Sequence, residues 1–180
     1  MRNFSICGYK WDKKYFFAFI IAVICSIICG IVLYKPVISN IYLRNLVFDY
    51  IYNVFNFKNA SLIFPHLLVG LIYLYVVFFI AYFSKLKYLT LIFVFIKGLF
   101  FGTYIAIIMS AYSFGGIVVG LIVYIPSTLI SFALCYFIVE FCKVIDNKYV
   151  FIMPAAAAVV DTIIFAILLN VVFRAVIAIV

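Results

Sequence analysis

Long apolar runs separated by short polar connections make up most of this chain. The runs cover about residues 15–34, 61–83, 88–112, 117–142 and 149–180. A helix needs roughly 20 mostly apolar residues to cross a hydrocarbon core about 30 Å thick, so the pattern predicts five transmembrane helices. The first run follows a basic head of Arg2, Lys10, Lys13 and Lys14, with Asp12 among them, and opens on Trp11, Tyr15, Phe16 and Phe17. Aromatic side chains of this kind gather at membrane–water interfaces. The run is longer than the apolar part of a typical secretory signal and no small-residue cleavage site follows, so it reads as an uncleaved helix ended by Pro36.

Between the first two runs, residues 39–57 (SNIYLRNLVFDYIYNVFNF) set Asn45, Asp49, Asn53 and Asn56 three or four apart, with Ile41, Leu46, Val47, Tyr50, Ile51, Val54 and Phe55 around them. That spacing predicts an amphipathic helix lying in the interface plane. Pro65 falls in the expected first turn of the second helix, where a missing N–H costs little. Ser113-Phe114-Gly115-Gly116 reads as a tight turn joining the third and fourth helices.

Composition sharpens this picture. The chain has 180 residues, is 71% hydrophobic and 10% charged, and has a mean hydropathy of +1.40. Soluble domains are roughly 45–50% apolar and about 25% charged, so the bilayer must be the solvent. The expected fold is all-α: one polytopic membrane bundle over residues 1–180, with five transmembrane helices and one outer interfacial helix. The net charge of +8 does not point to nucleic acid, because the cations sit in the connections rather than on one face. With the N-terminus inside, the inner segments hold eight cations (Arg2, Lys10, Lys13, Lys14, Lys85, Lys87, Lys143, Lys148) and the outer ones three (Lys35, Arg44, Lys58). The positive-inside rule then predicts an N-in, C-out orientation. Abundant Phe, Ile, Tyr, Lys and Asn fit an AT-rich bacterial genome and a bacterial cell membrane.

Few residues offer chemistry. The five acidic residues, one histidine and five cysteines form no catalytic, phosphate-binding or metal-binding motif, so neither enzyme activity nor a cofactor or metal is expected. Gly98, Gly102, Ala106 and Ser110 recur every four residues on the third predicted helix, and Gly116 and Gly120 repeat that spacing on the fourth. Membrane helices associate along small residues that let their backbones approach, so the two stripes are expected to face one another.

Lys97 lies about 13 Å into its helix at 1.5 Å per residue, and Asp161 stands at comparable depth in the fifth. A lysine at mid-bilayer costs at least about 2.5–3.5 kcal/mol on insertion scales. The two residues are therefore expected to face the interior, as a pair or around a shared polar pocket. Pro126, mid-way along the fourth run, predicts a kink. His66 reads as an interfacial residue, and Glu140 and Arg174 as snorkelling side chains near the two boundaries.

The stretch 95–131 resembles the stage II sporulation protein M family of multi-pass bacterial membrane proteins. The resemblance rests on Lys97-Gly98, Gly102 four residues later, the glycine turn Gly115-Gly116, and Ile125-Pro126 ending an apolar run. The basic head, the five spans and the outer loop after helix one match the family's layout. Some relatives carry His or Asn and then Glu after the proline, where this chain has Ser127-Thr128 and Ile130-Ser131. The resemblance implies a non-catalytic scaffold in endospore engulfment, anchoring stage II sporulation proteins D and P, which degrade peptidoglycan outside the membrane. A second reading is a small transporter-like or lipid-handling protein that uses Lys97, Asp161 and a hinge at Pro126.

Overall fold

A computed structural model describes residues 5–6, 9–10, 12–42, 45, 59–83, 87–119, 122, 124–142 and 149–177. Its architecture is all-helical apart from a two-stranded hairpin near the N-terminus, in which β1 (Ser5–Ile6) pairs antiparallel with β2 (Tyr9–Lys10). The helices are α1 (Lys13–Ser39), α2 (Asn59–Phe83), α3 (Thr90–Val119), α4 (Ile125–Phe141) and α5 (Met153–Ile177). Four of them contain segments long and apolar enough to cross a membrane: 13–36, 63–83, 87–108 and 150–171. The fourth helix, at 17 residues, is shorter.

Contacts between helix ends give the course of the chain. Tyr15 at the start of α1 meets Thr90 at the start of α3, and Lys87 reaches both Asp12 and Glu140, near the end of α4. Tyr75 and Phe78, in the second half of α2, pack on Phe151 just before α5. These residues share one end of the bundle, here the near end. At the far end Thr103 bonds the Gly30 carbonyl, and Tyr104 bonds Tyr124. Consecutive helices therefore alternate in direction across the same slab.

The outer surface is apolar, unlike that of a water-soluble bundle. Large apolar side chains such as Phe17, Ile21 and Val32 of α1, Phe64 and Val69 of α2, Phe100 of α3 and Ile167 of α5 point outward. Ser26, Thr90, Ser127, Ser131, Glu140, Asp161 and Thr162 are buried within a mainly apolar core. An apolar coat with the few polar groups turned inward is the arrangement lipid favours. All five helices contribute to the core, among them Tyr15, Phe78, Val94, Phe132 and Ala158.

Several boundaries differ from the sequence expectation. Ser113–Gly116 is not a turn: α3 runs through it to Val119. Pro126 is not a mid-helix kink but stands in the first turn of α4, where its fixed φ suits a helix start. Pro36 does not end the first helix, and Pro65 lies inside α2 rather than in its first turn. Most of the predicted interfacial helix, and Gly120, lie outside the described residues.

The glycine stripe also has a different partner. Gly98 and Gly102 pack against α1, not α4. A Cβ on Gly98 would fall on the Ser26 side chain, and one on Gly102 would fall on the Ile27 carbonyl oxygen. A Cβ on Gly30, across the seam, would meet the Leu99 carbonyl oxygen, with the Thr103 amide and the Gly102 Cα close by. The α1 face was marked in the sequence by Ser26 and Gly30, again four apart. Of the remaining stripe, Ala106 is half-buried, Ser110 is exposed and bonds its own helix at the Ile107 carbonyl, and Gly116 belongs to α3.

These contacts predict that Gly30→Ala and Gly102→Ala each destabilise the protein by about 1–3 kcal/mol, the range for overpacking. Gly70→Ala is the control, since nothing lies within 4 Å of its added carbon. Thermal midpoints in detergent should fall for the first two variants and hold or rise for the third.

Candidate functional site

Three polar assemblies lie inside or at the end of the bundle. The first, at the near end, begins with Asp12, which caps α1: its Oδ1 accepts the Lys14 and Tyr15 amides at 3.0 and 3.1 Å. Its other oxygen meets Lys87 Nζ at 2.5 Å, and the same ammonium lies 3.5 Å from Glu140 Oε1 and 4.9 Å from the Tyr15 ring centroid. One lysine thus ties together α1, the turn before α3 and α4. The Lys87 ammonium beside Asp12 holds that carboxyl below its ordinary value of 3.8. Glu140 was expected to snorkel, but it is buried against Lys87. Below this clamp the Tyr15 hydroxyl shares a 2.8 Å hydrogen bond with Thr90 Oγ1, which in turn donates to the Lys87 carbonyl.

The second assembly surrounds Lys97 at mid-depth. Its ammonium donates to Ser131 Oγ of α4 and sits 4.5 Å from the ring centroid of Tyr73 in α2. The Phe132 ring is 5.9 Å away. A hydroxyl and two aromatic faces thus take the place of the carboxylate expected there; cation–π attraction strengthens when desolvated, to about 2 kcal/mol or more. The Tyr73 hydroxyl lies 3.7 Å from the buried Cys135 thiol. Tyr73, Ser131 and Cys135 were not singled out as site residues. The signal available was that an intramembrane cation needs partners and that Ser, Tyr and Cys at mid-run can supply them.

The third assembly contains Asp161. Its side chain is 4% exposed, and Oδ2 lies 3.4 Å from His66 Nε2 of α2. The His66 ring stacks on Phe165, one turn further along α5, at 4.2 Å and 5°. Neither His66 Nε2 nor Asp161 Oδ1 has an aligned hydrogen bond, so the contact is electrostatic. Among the described residues, no ion pair joins Lys97 to Asp161. Of the two arrangements expected, a pair or a shared polar pocket, the direct pair does not form: Lys97 meets Ser131 and Asp161 meets His66. His66, read as interfacial, belongs to the interior cluster instead, because the antiparallel course of α2 and α5 brings it beside Asp161. The Arg174 side chain lies outside the described residues. Among the described residues, no three of His, Cys, Asp and Glu converge as a metal site would require.

The fold and these assemblies define a helical membrane protein whose mainly apolar core encloses a few polar groups. No family model matches the chain, and no curated protein or solved structure does.

The near-end clamp predicts a pH dependence. Because Asp12 has a lowered folded-state value, its charge stabilises the fold above about pH 4 and that stabilisation is lost as pH falls through the lowered value. Asp12→Asn keeps a competent helix cap but removes the charge. The gap in thermal midpoint between wild type and Asp12→Asn should be open at pH 5 and close towards pH 2.

Proposed function

We propose that this chain is a non-catalytic integral membrane scaffold, resembling stage II sporulation protein M, that anchors extracytoplasmic peptidoglycan-remodelling partners in a bacterial cell membrane during engulfment. The observation that carries this reading is the α1–α3 seam, where Gly30 and Gly102 bring the two backbones together and Gly98 seats the Ser26 side chain, with no room for another carbon. Such a seam fixes the first and third helices as one rigid unit, which suits a platform better than a moving carrier.

In this reading all five helices cross the membrane, with α4 near the lower limit of about 17 residues for a span. The basic near end faces the cytoplasm. Both the outer connection after α1 and the far helix ends meet the partners. The layout of head, spans and outer segment supports the family resemblance, as do Lys97-Gly98 and Gly102. Stage II sporulation proteins D and P are the partners that the resemblance implies.

The experiment is co-purification from detergent extracts of sporulating cells that express a tagged full-length chain. Peptidoglycan hydrolases should be enriched, and Ile51→Asp or Phe55→Asp in the outer segment should abolish that enrichment. Recovery no greater than with an unrelated five-span protein would overturn the scaffold reading.

A further inference from the structure

The outer face of α1 carries two charges at the head of an apolar lane. Lys13 and Lys14 stand exposed in its first turn. Phe17, Ile21, Ile24, Ile28 and Ile31 follow at steps of three or four, and all are exposed. At about 3.6 residues per turn these positions share one side of the helix, with the two lysines at its near-end tip. The buried residues Tyr15, Phe19, Ser26 and Gly30 occupy the opposite side, which α3 and α4 cover. The lane therefore faces away from the bundle.

The described carboxylates of the near end are committed elsewhere. Asp12 and Glu140 both meet Lys87, and Asp12 uses its other oxygen to cap α1. Asp161 lies at mid-depth against His66. Among the described residues, no ion pair includes Lys13 or Lys14. Two adjacent cations without a carboxylate, above an apolar lane, match an anionic phospholipid in both charge and shape. Its phosphate belongs at the water boundary and its acyl chain below. The dimensions agree: one leaflet holds about 15 Å of hydrocarbon, which at about 1.5 Å per residue runs from Lys14 to Ile24. Residues 15–24 present no charged side chain over that distance. A zwitterionic lipid fits the same lane, but its own ammonium group offsets the attraction to lysine.

We propose that α1 holds an anionic phospholipid along its outer face, with Lys13 and Lys14 on the phosphate and the acyl chain against Phe17, Ile21 and Ile24. Basic side chains at a membrane surface each favour anionic lipid about fivefold, so the pair gives a preference of tenfold or more. The preference is electrostatic and weakens as salt rises. It is independent of the scaffold role, so failure of hydrolase co-purification leaves it intact, and the reverse also holds.

The test is native mass spectrometry of the full chain in detergent at low salt. Phosphatidylglycerol and phosphatidylcholine with identical acyl chains are added in equal amounts. Wild type should carry phosphatidylglycerol over phosphatidylcholine by about tenfold or more. Lys13→Gln combined with Lys14→Gln should bring the two lipids to equal uptake, whereas Lys13→Arg combined with Lys14→Arg should keep the preference. Lys35→Gln, exposed at the far end of α1, should behave as wild type. Soluble glycerol phosphate in excess should not displace the lipid, because it has no tail for the lane. Equal uptake of the two lipids by wild type would overturn the proposal. So would an undiminished preference in the double glutamine variant, displacement by glycerol phosphate, or a dimer without lipid preference, in which a second copy covers the face.

Discussion

The contact between the α1 and α3 backbones sets the rest of this structure. In lipid, apolar side chains gain nothing by leaving the surroundings for one another, so helices associate through close van der Waals contact. Gly30 and Gly102 provide it, each lying against backbone atoms of the facing helix, while Gly98 leaves room for the Ser26 side chain. The Thr103 hydroxyl adds a 2.9 Å bond to the Gly30 carbonyl, within the same seam. With α1 fixed on α3, Tyr15 comes to rest beside Thr90, and Asp12 beside Lys87. The near-end clamp is thus a consequence of the seam.

The second constraint is that polar groups removed from water must find partners. Lys97 is served by Ser131 and two aromatic faces, Lys87 by two carboxylates, and Asp161 by the edge of His66. In each case the partners come from different helices. The same interactions that neutralise the charges therefore also fix which helices are neighbours. The Asp161–His66 contact is the least complete, because one carboxylate oxygen and the facing imidazole nitrogen lack aligned hydrogen bonds.

Much of the architecture was legible in the sequence because hydropathy alone reports it. The spans around residues 15–34, 61–83 and 88–112 fall inside α1, α2 and α3, apart from the short 3₁₀ turn Lys87–Leu89 that leads into α3. The inward placement of Lys97 and Asp161 followed from the cost of exposing charge to lipid. Partners were not legible, because helical periodicity shows which face is special but not what it meets. The Gly98–Gly102 stripe was assigned to the following helix, whereas Ser26 and Gly30 carried the matching spacing far earlier in the chain. The Gly115-Gly116 pair misled for a different reason. Glycine is compatible with a turn, but inside a helix it costs only about 1 kcal/mol relative to alanine, and α3 continues through both residues. Pro126 then serves as a start signal for α4 rather than a kink. Asp12 could have been recognised as a helix cap from its place just before the first apolar run.

The pairing of α1 with α3 gives the scaffold reading its rigid frame, and a compensating pair of substitutions tests it most directly. Gly98→Ala places a carbon on the Ser26 side chain and should lower the thermal midpoint in detergent. Adding Ser26→Gly leaves the Ile27 amide nitrogen, at 3.6 Å, as the nearest neighbour of that carbon, and should recover most of the loss. A Gly98→Ala variant as stable as wild type, or a double variant no more stable than Gly98→Ala alone, would contradict this account.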